Sequence, residues 1–277
     1  MSGRVGFMQG RLSPLVNGRI QAFPWDHWRE EFPIAHELGF PLIEWTLDQD
    51  RLRENPLLAD PAGVASLAAA HGLRVASITG DCFMQAPFYK ETGAARDALL
   101  DDMAAILDAA AAAAARFVVV PLVDNGRLEN AAQRQALLDG LLPLADGLAA
   151  RGLCIAFESD FAPADLAGLM HHLPAPAFGV NYDIGNSAAL GFDPAEEMAA
   201  YATRIVNVHV KDRVLGGTTV PLGTGAADLP RVFALLREAG YGGDFILQTS
   251  RATDGDHAGA LARYRDMTAA WWAATAE

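Results

Sequence analysis

Four short apolar runs in the second half of the chain each end in a residue that can bind a cation or move a proton. They are Ile155-Ala156-Phe157-Glu158, Val180-Asn181-Tyr182-Asp183, Val206-Asn207-Val208-His209 and Phe245-Ile246-Leu247-Gln248. In the period-two alternation of a strand, Glu158 shares a face with small Ala156, Asp183 with Asn181, His209 with Asn207 and Gln248 with Ile246. The opposite faces carry bulky apolar residues. Two carboxylates, an imidazole and an amide oxygen make a hard, mostly oxygen donor set. Such a set suits one divalent ion, Mn2+ as first choice, with Mg2+, Co2+ and Zn2+ also accommodated. A lone strand-end Glu or His is usually a solvated or structural group; four on successive strands argue for a metal site. The other histidines (His27, His36, His71, His171, His172 and His257) fall in or beside helical stretches and read as structural or surface groups.

The elements that must position these residues follow from periodicity. Short β-branched runs alternate with Ala/Leu-rich stretches of helical period. The strands expected are Val5–Met8, Leu42–Trp45, Arg74–Thr79, Phe117–Pro121, Cys154–Glu158, Phe178–Tyr182, Ile205–Val210 and Asp244–Gln248. The helices expected are Trp25–Leu38, Pro61–His71, Gly93–Ala115, Asn130–Ala150, Pro163–His171, Pro194–Thr203, Asp228–Ala239 and His257–Ala273. Gly39, Gly72, Gly152 and Gly240 stand where helices must stop, and Pro61, Pro163 and Pro194 where they start. Eight strand–helix units averaging about 35 residues predict a (β/α)8 TIM barrel, one domain spanning residues 1–277. An open doubly wound sheet would normally begin with a Gly-rich dinucleotide turn; here the first strand runs into Gln9-Gly10-Arg11-Leu12-Ser13-Pro14. In a barrel, chemistry gathers at the C-terminal ends of the strands. Seven of the eight expected ends carry a capable group, among them Glu44, Asp81 and Asp124 besides the four residues above.

Composition bounds the partners. Hydrophobic residues make up 51% of the 277, enough for a large core. A net charge of −13 opposes a phosphate-backbone surface, so no nucleic-acid partner is expected. The most apolar stretch, Ile106 to Val123, contains Asp108, Arg116 and Pro121, so no membrane segment is expected. Two cysteines cannot form a disulfide framework. Cys82 is expected near the catalytic rim and Cys154 at the far end of its strand, both reduced. With no signal-peptide pattern at the start, a cytoplasmic location is expected.

The segments GFMQGRLSP, PLIEWTLD, IAFESD, VNYDIGN, VNVHVKDR and LGTGAADLPRVFALLREAGYGGDFILQTSR resemble the sugar phosphate isomerase/epimerase superfamily, the xylose isomerase-like TIM barrels. The resemblance covers the whole chain and implies metal ligation by Glu158, Asp183, His209 and the residue at position 248. That last residue is normally Glu in the epimerase branch, where carboxylates on strands five and eight serve the two faces of the substrate. Gln248 can offer an amide oxygen but cannot act as a base near neutral pH. Glu158 is then the expected base.

Lys211, two residues past His209 and on its face, could hold substrate oxygens or donate a proton. Arg213 and Arg251 follow strands seven and eight, where such barrels often bind phosphate. Asn186, Arg11 and Glu44 complete the expected substrate contacts. The leading expectation is a divalent-metal-dependent isomerase or epimerase that acts on a small sugar or sugar phosphate through an enediolate. The departure at Gln248 keeps open a metal-dependent lyase, a dehydratase or decarboxylase of a keto-sugar or keto-sugar acid, and a non-catalytic sugar-binding subunit. A repair nuclease of the same superfamily is disfavoured by the charge and by Asn186, which stands where such an enzyme would carry a ligand histidine. A homo-oligomer is compatible with all of these readings.

Overall fold

The eight apolar runs become eight parallel strands closed into a barrel in the computed structural model of the protein, which describes residues 4–275. The strands are β1 Val5–Met8, β2 Leu42–Leu47, β3 Arg74–Gly80, β4 Phe117–Leu122, β5 Cys154–Ser159, β6 Phe178–Asp183, β7 Ile205–Val210 and β8 Phe245–Leu247. Each pairs with its neighbour in sequence, and β8 closes on β1 through Val5 opposite Phe245. The outer faces carry Phe7, Trp45, Ile78, Val120, Phe157, Val180, Val208 and Leu247, which pack with the helices in one continuous apolar cluster. The inner faces carry small or medium residues low in the barrel, such as Ala156 and Ile246, and polar residues toward the C-terminal rim. No described helix is long and apolar enough to cross a membrane.

Several element boundaries differ from the expected ones. The stretch Asn130–Ala150 is not one helix. It divides into Ala131–Leu141, a 3-10 turn Leu142–Leu144 and Ala145–Arg151, because Pro143 removes a helical N–H. The first long helix is only Glu31–Glu37, and the residues before it form turns. Short helices Asp81–Gln85 and Ile184–Leu190 follow β3 and β6 directly at the rim. β8 stops at Leu247, so Gln248 begins the loop while keeping its inward phase. Cys154 opens β5 at the bottom of the barrel and Cys82 sits in the helix above β3. Both are free, and burial raises both thiols, Cys154 to about 12.

Register at the closing seam depends on Gly6. A Cβ there would stand 2.6 Å from Leu42 Cβ and 2.9 Å from the Leu42 carbonyl oxygen, so β1 can lie against β2 only as glycine. Gly6→Ala is expected to lower stability by about 1–3 kcal/mol, seen as a lower urea midpoint with an unchanged slope.

Candidate active site

The polar residues of the inner faces form a connected layer across β2, β3, β5, β6 and β7. Its centre is His209, fully buried. His209 Nε2 meets Glu44 Oε1 at 2.7 Å, and Nδ1 lies 3.1 Å from Glu158 Oε2 and 3.9 Å from Asp183 Oδ2. Glu44 also accepts from Ser77 Oγ at 2.5 Å and from Asn207 Nδ2 at 3.2 Å. Asn207 donates to Asn181 Oδ1 at 2.9 Å, and Asn181 donates to Glu158 Oε2 at 3.0 Å. Backbone irregularities at Ile43/Glu44 and Val180/Asn181 turn these side chains onto the common level. Glu158, Asp183 and His209 thereby offer donor atoms within 4.8 Å of one another.

Above this layer opens a cavity of about 520 Å3, lined by Glu158, Asn186, Lys211, Arg213, Gln248, Gln21 and Asp81 among others. Asp183 Oδ1 accepts from the Asn186 N–H at 2.8 Å, capping the helix Ile184–Leu190; this leaves Oδ2 for His209 and for Lys211 Nζ at 3.3 Å. Lys211 Nζ also donates to Asn186 Oδ1 at 3.1 Å and to Gln248 Oε1 at 3.0 Å. Asn186 Nδ2 donates to Glu158 Oε1 at 2.7 Å, and Arg213 Nη1 donates to Asn186 Oδ1 at 2.8 Å. Gln248 Nε2 donates to Gln21 Oε1 at 3.0 Å, and Gln21 Nε2 to Asp81 Oδ2 at 2.6 Å. A second hollow of about 460 Å3 lies at the opposite end of the barrel beside Phe117, Cys154 and Tyr241, and no carboxylate or imidazole lines it.

Glu158, Asp183, His209, Lys211, Asn186, Arg213 and Gln248 therefore converge. Three expected contacts do not reach the cavity. Glu44 is fully buried beneath His209, because its strand position is three residues below the end of β2. Arg11 donates to the Thr249 and Ile20 carbonyls at 3.0 and 2.9 Å and to Gln21 Oε1 at 3.4 Å. Arg251 donates to the Ser13 and Gly10 carbonyls. Both arginines fasten the segment after β1, a task no local motif announces. Sequence reasoning missed Ser77 and Gln21 and gave Asp81 no role. Asp81 stood at an expected strand end, whereas Gln21 lies in an irregular segment without any signal.

Burial sets the ionisation of the layer, and the neighbours correct it. Burial alone would lower His209, but the charges and hydrogen bonds of Glu44 and Glu158 outweigh it and lift the imidazole to about 10. Burial would raise Glu158, but His209, Lys211 and Asn181 hold it below the usual carboxylate range. Asp183 goes up through burial and the charge of Glu158, with Lys211 opposing. Because the folded value of His209 exceeds its unfolded one, its contribution to stability is complete below about pH 6.5 and is lost as pH rises toward about 10. Glu44→Gln should lower the His209 value in the metal-free protein and flatten this loss. Imidazole titration by NMR, assigned with His209→Gln, checks the first; urea midpoints from pH 6 to 10 check the second.

Comparison with known proteins agrees with this architecture. Residues 32–270 match the family model for the xylose isomerase-like TIM barrel. The L-ribulose-5-phosphate 3-epimerase UlaE of Escherichia coli strain SMS-3-5 / SECEC is 30% identical over 258 residues, covering 88% of this chain and 89% of that protein. The xylose isomerase domain protein from Planctomyces limnophilus superposes with a TM-score of 0.76 at 16% identity, covering 99% of this chain and 98% of that one. The IOLI protein, whose crystal structure contains a zinc atom, superposes with a TM-score of 0.71 at 15% identity, covering 97% and 99%. With its eight-stranded barrel, its inward Glu-Asp-His cluster and a family match across most of its length, the chain belongs to the xylose isomerase-like TIM barrel family.

Proposed function

We propose that this protein is a divalent-metal-dependent epimerase or isomerase of small ketoses or ketose phosphates. The observation that carries the reading is the buried convergence of Glu158, Asp183 and His209, of which Glu158 also lines a cavity large enough for a sugar. The donor chemistry fits a divalent ion. With His209 neutral, the buried carboxylates of Glu44, Glu158 and Asp183 outnumber Lys211 by two charges, which such an ion would balance. Glu44 takes His209 Nε2, and Nδ1, which lies 3.0 Å from Asn181 Nδ2, faces Glu158 and Asp183 and would be the ligand atom. Glu158, Asp183 and His209 would hold the ion. Gln248 Oε1, now bonded to Lys211, would join them once the amine turns to substrate. The oxygen-rich set favours Mn2+, Mg2+ or Co2+; the zinc atom in the IOLI protein, a barrel of the same fold, is compatible with Zn2+ as a further choice. When bound, the ion would polarise the substrate carbonyl and share the negative charge of an enediolate.

The protein's own groups do the rest. Glu158, ionised and facing the cavity, takes the proton from the carbon beside the carbonyl. Lys211 reaches the same space on its flexible stem and steadies the developing oxyanion. Asn186 holds Glu158 and Lys211 in mutual register, and Arg213 holds Asn186. The UlaE relative is named for a ketose-phosphate epimerisation, which supports this class over loss of water or carbon dioxide.

The test is a panel of ketoses and ketose phosphates, L-ribulose 5-phosphate included, with turnover and solvent-deuterium entry followed by NMR. Glu158→Gln should lower turnover at least about 100-fold with the barrel intact. Chelation should abolish turnover and Mn2+ should restore it. Since His209 carries a proton at neutral pH, metal binding should release about one proton per ion and strengthen as pH rises. Calorimetry in two buffers of different ionisation heat measures this. Near-normal turnover of Glu158→Gln, or of the chelated protein, would overturn the reading.

A further inference from the structure

Building on the epimerase reading, we propose that Asp81 is the second acid–base group of the reaction, standing in for the carboxylate that position 248 does not supply. The argument starts at Lys211, whose ammonium can only donate. Asn186 and Gln248 must therefore turn their oxygens toward it, at 3.1 and 3.0 Å, and their NH2 groups away. On one side Asn186 then donates to Glu158. On the other, Gln248 donates to Gln21, and Gln21 to Asp81. The direction of every amide is forced, and both arms must end on acceptors; they end on Glu158 and Asp81. A Glu at position 248 could not donate to Gln21 and would break the second arm, which accounts for the neutral side chain there.

Asp81 suits the part. It is 6% exposed and lines the same cavity as Glu158. Its Oδ2 accepts from Gln21 Nε2 at 2.6 Å. The other carboxylates of the cavity wall are less suited: Asp160 is paired with Arg127, and Asp124 is exposed on the outer lip. Burial, followed by the charges of Asp48 and Glu158, lifts Asp81 to about 7 against the hydrogen bond from Gln21 and the charge of Arg11. An acid at that value is half protonated at neutral pH.

In the step, the Glu158 carboxylate takes the proton from the carbon beside the ketone, and the C–H electron pair enters the enediolate. The Asp81 carboxyl then gives its proton to the same carbon from the other face, as the enediolate pair forms the new C–H bond. Glu158 ends protonated and Asp81 ionised. Loss of one proton to water and gain of one from it restore both groups, and the reverse reaction exchanges their roles.

The experiment uses the metal-loaded protein in D2O with a ketose that the wild type epimerises. Asp81→Asn should lower net inversion at least 100-fold while leaving metal affinity unchanged. Deuterium should still enter substrate recovered with its original configuration, through Glu158 alone. Asp81→Glu should recover at least 10-fold of the lost inversion, which a merely structural role would not predict. Gln21→Leu removes the hydrogen bond that lowers Asp81, so the limb on which rate falls with rising pH should move upward; this variant decides the matter should Asp81→Asn not fold. Inversion by Asp81→Asn within threefold of the wild type overturns the assignment, as does loss of exchange together with inversion, or an unmoved limb in Gln21→Leu. A wild type that exchanges label without inverting also overturns Asp81 alone. A wild type that neither inverts, isomerises nor exchanges any ketose overturns the proposed function itself.

Discussion

A buried imidazole held between two carboxylates is the interaction on which the inner barrel depends. His209 has no contact with water, yet both its nitrogens face carboxylate oxygens, Glu44 below and Glu158 above. Neither carboxylate could be buried alone without a large desolvation cost. Each is therefore surrounded by donors: Ser77 and Asn207 around Glu44, Asn181 and Asn186 around Glu158. The chain of amides links four strands and leaves each member partnered, so the orientation of the ring is fixed before any substrate arrives. The same constraint explains the small residues beneath, such as Ala156, since the interior must make room for a polar layer.

The rim is built on that layer but is completed from outside the strands. The segment between β1 and the helix Glu31–Glu37 crosses the mouth and brings Gln21 to it. It is tied down by polar groups rather than by secondary structure. Glu31 accepts from the N–H groups of Gly10 and Leu12 at 2.9 Å, Arg11 and Arg251 hold main-chain carbonyls, and Asp48 accepts from the Phe23 N–H at 2.8 Å. Beneath it, Trp28 packs edge to face on Phe32 and on Trp45, and Phe23 lies tilted against Trp45. Burial raises Glu31 to about 7, so the clamp is held by a carboxyl whose charge is costly there. Arg251, expected at an anion, and Arg11, expected as a substrate contact, are thus committed to shaping the cavity wall.

Position 248 joins the two levels. Its side chain keeps the inward phase of β8 and meets Lys211, as a metal-site carboxylate would, but its NH2 group extends the hydrogen bonding to Gln21 and Asp81. An amide at this position, able to donate as well as accept, thus sets the polarity of half the mouth. In the proposed chemistry, the acid–base duty moves with it from one strand end to another.

The sequence by itself determined the barrel and much of its floor. Period-two alternation told which residues of β5, β6 and β7 face inward, and helix punctuation spaced the eight units, because both are local consequences of backbone geometry. Glu158, Asp183 and His209 were legible for that reason, and the family resemblance agreed. Local pattern could not tell depth within the barrel: Glu44 looked like a rim residue and lies under His209, since strand tilt and the irregularity at Ile43/Glu44 set its height. Nor could it tell what a long side chain reaches. Arg11 and Arg251 bond backbone segments 238 to 241 residues away in sequence, and Gln21 meets Asp81 and Gln248 across 60 and 227 residues. All but the Gln21–Asp81 pairing come from closure of β8 on β1, which brings the first and last segments of the chain together over one mouth. Only the closed tertiary structure decides them, because no periodicity encodes a contact between residues so far apart.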